Sequence, residues 1–366
     1  MMDPNALVQE VLDDLVGRDI ERGLQVAAYL DGQLIVDAWA GLADAHTGRP
    51  VDGETLFGVF STSKGLTATI IHILADRGLL EYDAPVARYW PEFAAHGKGG
   101  ITLRHVFTHT AGLPQMPPGA GVPQQCDWDW MVHALEQLAP LWEPGTLAGY
   151  HALTYGWLLG EVARRVTGRG IDQLLQDEIC APLGINSLFF GIPDAVEPRV
   201  ARLEAAPAPP PSDDSPAWLA IPRTCWPLHE WANRPEIRRA VIPAGVGIGN
   251  ARAIARHYAA LVGPVDGVRL LSSQRLALAL APQAPVNDLE TGLPSTRALG
   301  YSPFGPPSLP GALPPFGHGG AGGSIGYADP AYRVAFALAK TRMVSDAPAG
   351  EDAVSLVGAA LARMIP

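Results

Sequence analysis

The chain has 366 residues, 48% of them hydrophobic, enough for one large core or two packed lobes and too apolar for a disordered protein. Its formal net charge of -11, with no long run of Arg, excludes the basic surface that a nucleic-acid partner requires. Three cysteines, Cys126, Cys180 and Cys225, cannot all pair and match neither a zinc motif nor a disulfide framework, so they read as reduced core or loop residues.

The first 23 residues are acidic and amphipathic, without the basic start and short apolar core of a signal peptide. Leu7, Val11, Leu15 and Val16 fall at helical spacing and predict a helix over 5–21. Residues 25–41 then give two strand-like runs around Asp31-Gly32, a pair that favours a tight hairpin turn. Helical patterns follow at 66–77, 102–109, 127–139, 153–167 and 171–180, separated by Pro- and Gly-rich loops such as "LPQMPPGAGVP", "APAPPPSDDSP" and "FGPPSLPGALPPFG". Residues 324–343 read as two strands around Asp329-Pro330, and 351–365 as a final helix. The two ends are therefore expected to share one antiparallel sheet covered by helices. This gives an α/β domain from 1–85 and 240–366, with a helical domain and long Pro-rich loops over 86–239. No run approaches the length of a transmembrane helix, so a cytoplasmic location without membrane contact is expected.

Chemistry enters at "FSTSKG". If a helix starts near Ser61, Ser61 and Lys64 lie one turn apart on one face, and the lysine nitrogen reaches the hydroxyl. A free serine is a poor nucleophile, whereas one beside a lysine that burial has made neutral has a base. Leu66, Ile70, Ile71, Ile73 and Leu74 offer that burial, and the helix start adds free amides that favour an oxyanion. Ser-x-x-Lys alone is a weak signal and needs partners. Tyr150, just before a predicted helix, could relay protons. His318-Gly319-Gly320, just ahead of a predicted strand at 324–327, could bring a backbone amide close to an acyl oxygen.

Two motifs are decoys. "GGSIG" at 322–326 formally fits a Gly-x-Ser-x-Gly elbow, but glycines precede Ser324, a strand follows it, and His318, the last histidine, lies upstream. His105 and His109 share a helical face at metal-ligand spacing, but lack the glutamate of His-Glu-x-x-His and a third ligand. They are assigned a structural, helix-capping role, and no metal or cofactor is expected.

Taken together, "FSTSKG" (60–65), "GLLEYDAPVARYWPEF" (78–93), "ITLRHVFTHTAGLP" (101–114), "EPGTLAGYHALTYGWLLGEVARRVTG" (143–168), "GNARAIARHYAAL" (249–261) and "GHGGAGGSIGYADP" (317–330) make the chain resemble the serine β-lactamase and penicillin-binding-protein superfamily. Within it, the chain is similar to the family VIII carboxylesterases. The resemblance implies a β-lactamase/transpeptidase-like α/β (α+β) fold, an antiparallel sheet flanked by helices with an inserted all-helical domain and the site between. It implies Ser61 as acylated nucleophile, Lys64 as general base and Tyr150 as proton relay. The backbone amides of Ser61 and Ala321 would form the oxyanion hole, and His318, Gly319, Gly320 and His151 would line the substrate site.

Two departures narrow the expectation. Related β-lactamases usually read Tyr-x-Asn where this chain has Tyr150-His151-Ala152, and Lys-Thr-Gly where it has His318-Gly319-Gly320. The first change removes an amide that grips the substrate's own amide; the second removes a cation that attracts a carboxylate. The expected partner is thus a small or medium neutral ester, hydrolysed through an acyl-enzyme. β-Lactamase, D-amino-acid peptidase and acyltransferase activities are the alternatives, with a non-catalytic sensor as the alternative outside enzymes. Some of Trp128, Trp130, Trp142, Trp218, Trp226 and Trp231 could line an apolar pocket, although core packing is the ordinary role for each.

Overall fold

The computed structural model of the protein describes residues 3–205, 210–343 and 352–363. The first helix, Pro4–Gly17, is capped by Asp3, whose carboxylate accepts from Asn5 N, and it stops at Gly17, short of the expected residue 21. Strands β1 (Gly23–Leu30) and β2 (Gln33–Asp44) form the expected hairpin. Asp31 and Gly32 both have positive φ, 50° and 77°, as a two-residue turn of that hand requires.

The short strand β3 (Arg49–Pro50) extends this edge. Near the other end of the chain come β4 (Ser302–Pro303), β5 (Phe316–Gly319), β6 (Ile325–Asp329) and β7 (Val334–Lys340). Together these make one seven-stranded antiparallel sheet, ordered β4-β5-β6-β7-β1-β2-β3. The two chain ends meet at its centre, where Leu24 pairs with Lys340 and Leu30 with Val334. The turn between β6 and β7 holds four residues rather than closing tightly on Asp329-Pro330, and Arg333 within it has φ 49°.

Both faces of β1 are covered, which is why "LQVAAYL" is apolar but for Gln25, whose buried amide donates to Thr55 O and accepts from Ala251 N. Leu24, Val26 and Ala28 pack outward with the helices Pro4–Gly17 and Ala353–Ala362; Ala27 and Tyr29 face the main core. The last helix is described only over Ala353–Ala362, so the ends of the expected 351–365 helix lie outside the described residues, as do 206–209 of the Pro-rich stretch. Helix Ala251–Val262 crosses the inner face, capped by Asn250, and Gly326 lets it seat closely: a Cβ there would come within 2.3 Å of Tyr258 Cε2.

The middle region carries helices Leu103–Phe107, Trp128–Gln137, Thr154–Thr167 and Ile171–Leu175, the last continuing through a wider π-type turn at Gln176–Cys180. Two short strands inside it were not expected. Leu147–Ala148 pairs with Val286–Asp288, and Leu188–Phe190 joins Gly247–Gly249, which also pairs with Phe57–Phe60. These ladders tie the middle of the chain to the segments on either side of it, next to the helix that follows Phe60. No helix among the described residues is long and apolar enough to cross a membrane.

Candidate active site

The strand Phe57–Phe60 ends in a residue with φ 47°, an uncommon left-handed conformation for phenylalanine that costs roughly 1–3 kcal/mol. The Ser63 hydroxyl donates to the Phe60 carbonyl at 2.5 Å, and the turn leads directly into the helix Ser63–Asp76. Ser61 is thereby left partly exposed at the helix start, while Thr62, Ser63 and Lys64 are fully buried. Within that turn Thr62 N donates to Val59 O at 3.2 Å and Lys64 N to Ser61 O at 2.9 Å, which fixes the backbone on which Ser61 stands.

Lys64 Nζ lies 3.1 Å from Ser61 Oγ, 2.7 Å from Ala152 O and 2.9 Å from Ala244 O. Carbonyls only accept, so two N–H groups of the lysine are committed to them. Burial holds its pKa well below the ordinary lysine value. A neutral amine has two N–H groups and one lone pair, and with both N–H groups on carbonyls the lone pair faces Ser61 Oγ. That is the arrangement of a base.

The Tyr150 phenol lies within reach of the Ser61 side chain, and its ring sits 4.7 Å from Lys64 Nζ. Burial pushes its pKa up to about 12, so it is protonated and able to donate at neutral pH. On the opposite side, Gly320 packs against the nucleophile turn: a Cβ there would lie 2.1 Å from Val59 O and 3.0 Å from Thr62 Oγ1. Gly320 N donates to Ser324 O at 2.7 Å, and the Thr62 hydroxyl reaches the same carbonyl at 3.2 Å. Gly319 to Ala321 therefore runs alongside Ser61, where backbone amides can meet a developing oxyanion. Gly320→Ala is expected to push this segment away, lowering kcat about 100-fold or more together with the melting temperature, because the Cβ meets backbone at Val59, as steady-state kinetics beside calorimetry will read.

His318, next in line, is nearly buried and its Nδ1 lies 2.7 Å from Gly319 O. Burial first, then the nearby Lys64, lowers its pKa to about 3, so it carries no charge near neutral pH. His151 corrects the expectation that it contacts substrate. It is fully buried; its Nε2 accepts from Leu113 N at 3.0 Å and its Nδ1 lies 2.6 Å from Gly149 O, which leaves no ring nitrogen for a ligand. Ser324, in the rejected elbow, is buried at 3% exposure. His105 accepts from Thr102 N and completes a capping box, while His109 turns away behind Tyr150.

Beside Tyr150 opens a narrow pocket of about 50 Å³, walled chiefly by Pro114, Gly149, Ala152, Leu219, Ile221 and Leu289. None of the tryptophans lines it; Trp128 and Trp231 are tied by their indole N–H groups to Glu161 and Gln125. Sequence reasoning missed these walls and the two carbonyls that hold Lys64. A backbone oxygen has no residue signature, although Pro243-Ala244-Gly245 marks a turn there. All three cysteines are free thiols, Cys180 and Cys225 buried and Cys126 partly so.

Residues 8–360 match the protein family described as Beta-lactamase. Over 350 residues the chain is 39% identical to the Esterase/beta-lactamase LipL of Mycobacterium tuberculosis (strain ATCC 25618 / H37Rv), covering 88% of this chain and 78% of that protein. Among solved structures, a family VIII carboxylesterase superposes with a TM-score of 0.88 at 32% identity, over 99% of this chain and 98% of that one. A penicillin-binding-protein homologue from Caulobacter crescentus superposes with a TM-score of 0.84 at 34% identity, over the same shares.

Proposed function

The chain belongs to the Beta-lactamase family and is a serine hydrolase, and from that premise we propose that it is a carboxylesterase cleaving small to medium neutral esters through an acyl-enzyme on Ser61. The observation that carries the proposal is the placement of Lys64 Nζ between two carbonyls and Ser61 Oγ.

In the first half-reaction Ser61 gives its proton to Lys64 while Oγ attacks the ester carbonyl. The oxyanion is met by the amides of Ser61 and Ala321. As the C–O bond breaks, Tyr150 hands its phenolic proton to the departing alkoxide and recovers one from the Lys64 ammonium. In the second half, a water loses its proton to Lys64 through the same relay and attacks the acyl carbon; as the bond to Ser61 Oγ breaks, Lys64 returns that proton to Oγ, freeing Ser61 and the acid.

Preference for neutral esters rests on charge and on room. His318 stands uncharged where a lysine would attract a carboxylate, and the pocket walls beside Tyr150 are mostly apolar. About 50 Å³, at roughly 10–15 Å³ for each water-sized group, holds a few carbon atoms. A β-lactam as second substrate is favoured by one finding, the combined esterase and β-lactamase name of the 39% identical relative.

Intact-protein mass spectrometry after brief exposure to p-nitrophenyl acetate, and separately to a penicillin, tests both. Native protein is expected to gain the acyl mass or turn the ester over, and Ser61→Ala to do neither. Ester hydrolysis that survives in Ser61→Ala would sink the proposal, and fast penicillin turnover with little ester activity would replace it by the β-lactamase reading.

A further inference from the structure

We propose that His109 is a positioning residue, a latch that grips the chain on both sides of Tyr150 and thereby fixes its phenol against Ser61. The inference rests on the reading of Tyr150 as the proton donor to the leaving group.

The grip is made by one residue at two points. His109 O accepts from Gly149 N at 3.0 Å, and His109 Nδ1 accepts from His151 N at 3.1 Å. The residue between those two amides is Tyr150. The imidazole also packs against it, with ring centroids 4.8 Å apart, and is backed by Tyr155 at 5.3 Å. His151 returns the contact through Leu113 N and Gly149 O, and Thr154 Oγ1 donates to Leu113 O at 2.7 Å, so 109–113 and 149–154 form one clasp.

Geometry and chemistry both select this side chain. His109 has φ 59°, a conformation that few residues other than Gly, Asn, Asp and His adopt readily. Its Nδ1 must accept, so the proton sits on Nε2 and the ring must be neutral. At 5% exposure, burial holds it so. The other half of the sequence motif, His105, does something unrelated in capping its helix, which explains the spacing without a metal.

A latch on a proton donor has a signature that a merely structural residue lacks. An alkyl alkoxide leaves only if protonated, whereas p-nitrophenolate leaves without help. The experiment compares kcat and KM for p-nitrophenyl acetate and ethyl acetate in the native enzyme, Tyr150→Phe, His109→Ala and His109→Asn, with melting temperatures alongside. Asparagine tolerates the left-handed conformation and offers a carbonyl oxygen in place of Nδ1.

His109→Ala is expected to lower kcat/KM, which reports the acylation half alone, about 100-fold on ethyl acetate and less than about threefold on the p-nitrophenyl ester, in parallel with Tyr150→Phe. His109→Asn should stay within about fivefold of native on both, since only the acceptor and the turn need replacing. If Tyr150→Phe discriminates between the esters but His109→Ala slows them equally, or Asn fails to restore the alkyl ester, the latch is overturned and the role of Tyr150 stands. If Tyr150→Phe itself does not discriminate, the relay reading falls and takes the latch with it.

Discussion

Lys64→Met is expected to remove acylation of Ser61 almost completely, lowering kcat/KM at least about 1000-fold while the protein remains folded. Methionine fills much of the same volume, so the lost element is the lone pair facing Ser61 Oγ. The substitution also leaves Ala152 O and Ala244 O without their donor, each orphaned acceptor costing roughly 1–3 kcal/mol, offset in part because an amine no longer has to be desolvated. Lys64→Arg separates the two roles a lysine could play. A guanidinium keeps a positive charge and cannot give it up, so an electrostatic role would survive in part and a basic one would not. The expected result is that both variants are inactive by burst titration with p-nitrophenyl acetate. Native kcat/KM should rise with pH as Lys64 loses its proton, well below the ordinary lysine range, and hold until Tyr150 ionises near pH 12. An active Lys64→Arg enzyme would assign proton abstraction to Tyr150 instead.

Acid should unfold this protein abruptly. His72, His151, His257 and His318 are each buried and uncharged, their pKa values lowered to about 3 mainly by desolvation. In the unfolded chain each would titrate near 6.5. Between pH 6.5 and 3 the unfolded state therefore binds protons that the native state refuses, so stability is intact above pH 6.5 and falls as the pH drops through this window. Each histidine contributes a slope of about 1.4 kcal/mol per pH unit, and the four together about 5 kcal/mol per unit. A native stability of roughly 5–15 kcal/mol is used up within one to three pH units of 6.5. Circular dichroism and tryptophan fluorescence followed from pH 8 downward should show a cooperative midpoint between about 3.5 and 5.5. Native spectra retained at pH 3 would contradict the neutral, buried state of these rings.

Much of this architecture is legible in the sequence because it follows from side-chain periodicity. The Asp31-Gly32 hairpin, the amphipathic helices and the two apolar strands at the chain's end are set by alternation and turn chemistry, and the structure places them in one sheet. What escaped detection is short or made of backbone. Leu147–Ala148 and Leu188–Phe190 are too brief to have a period, yet their ladders tie the middle of the chain to strands outside it. Ser61 and Lys64 are three apart on a helix, so their meeting is local and could be anticipated. The pocket walls at Leu219, Ile221 and Leu289 meet Tyr150 only through tertiary folding. His151 was misjudged because a neighbour in sequence need not face the same way: its ring turns into the core to tie two backbone segments together.

Lys64 is one of only three lysines, and none of them lies on the surface. Lys98 is fully buried, donating to the carbonyls of Ala95, Glu136 and Leu138, and Lys340, at 6% exposure and the last residue of β7, is ion-paired at 2.6 Å with Glu21, just ahead of β1. The exposed positive charge is therefore carried by arginine, whose guanidinium does not react as an amine nucleophile. Reagents that acylate amines, whether succinimidyl dyes, crosslinkers or activated resins, have no lysine side chain to reach on the folded surface. A covalent acyl label on the native protein would therefore mark the partly exposed Ser61 rather than a surface amine.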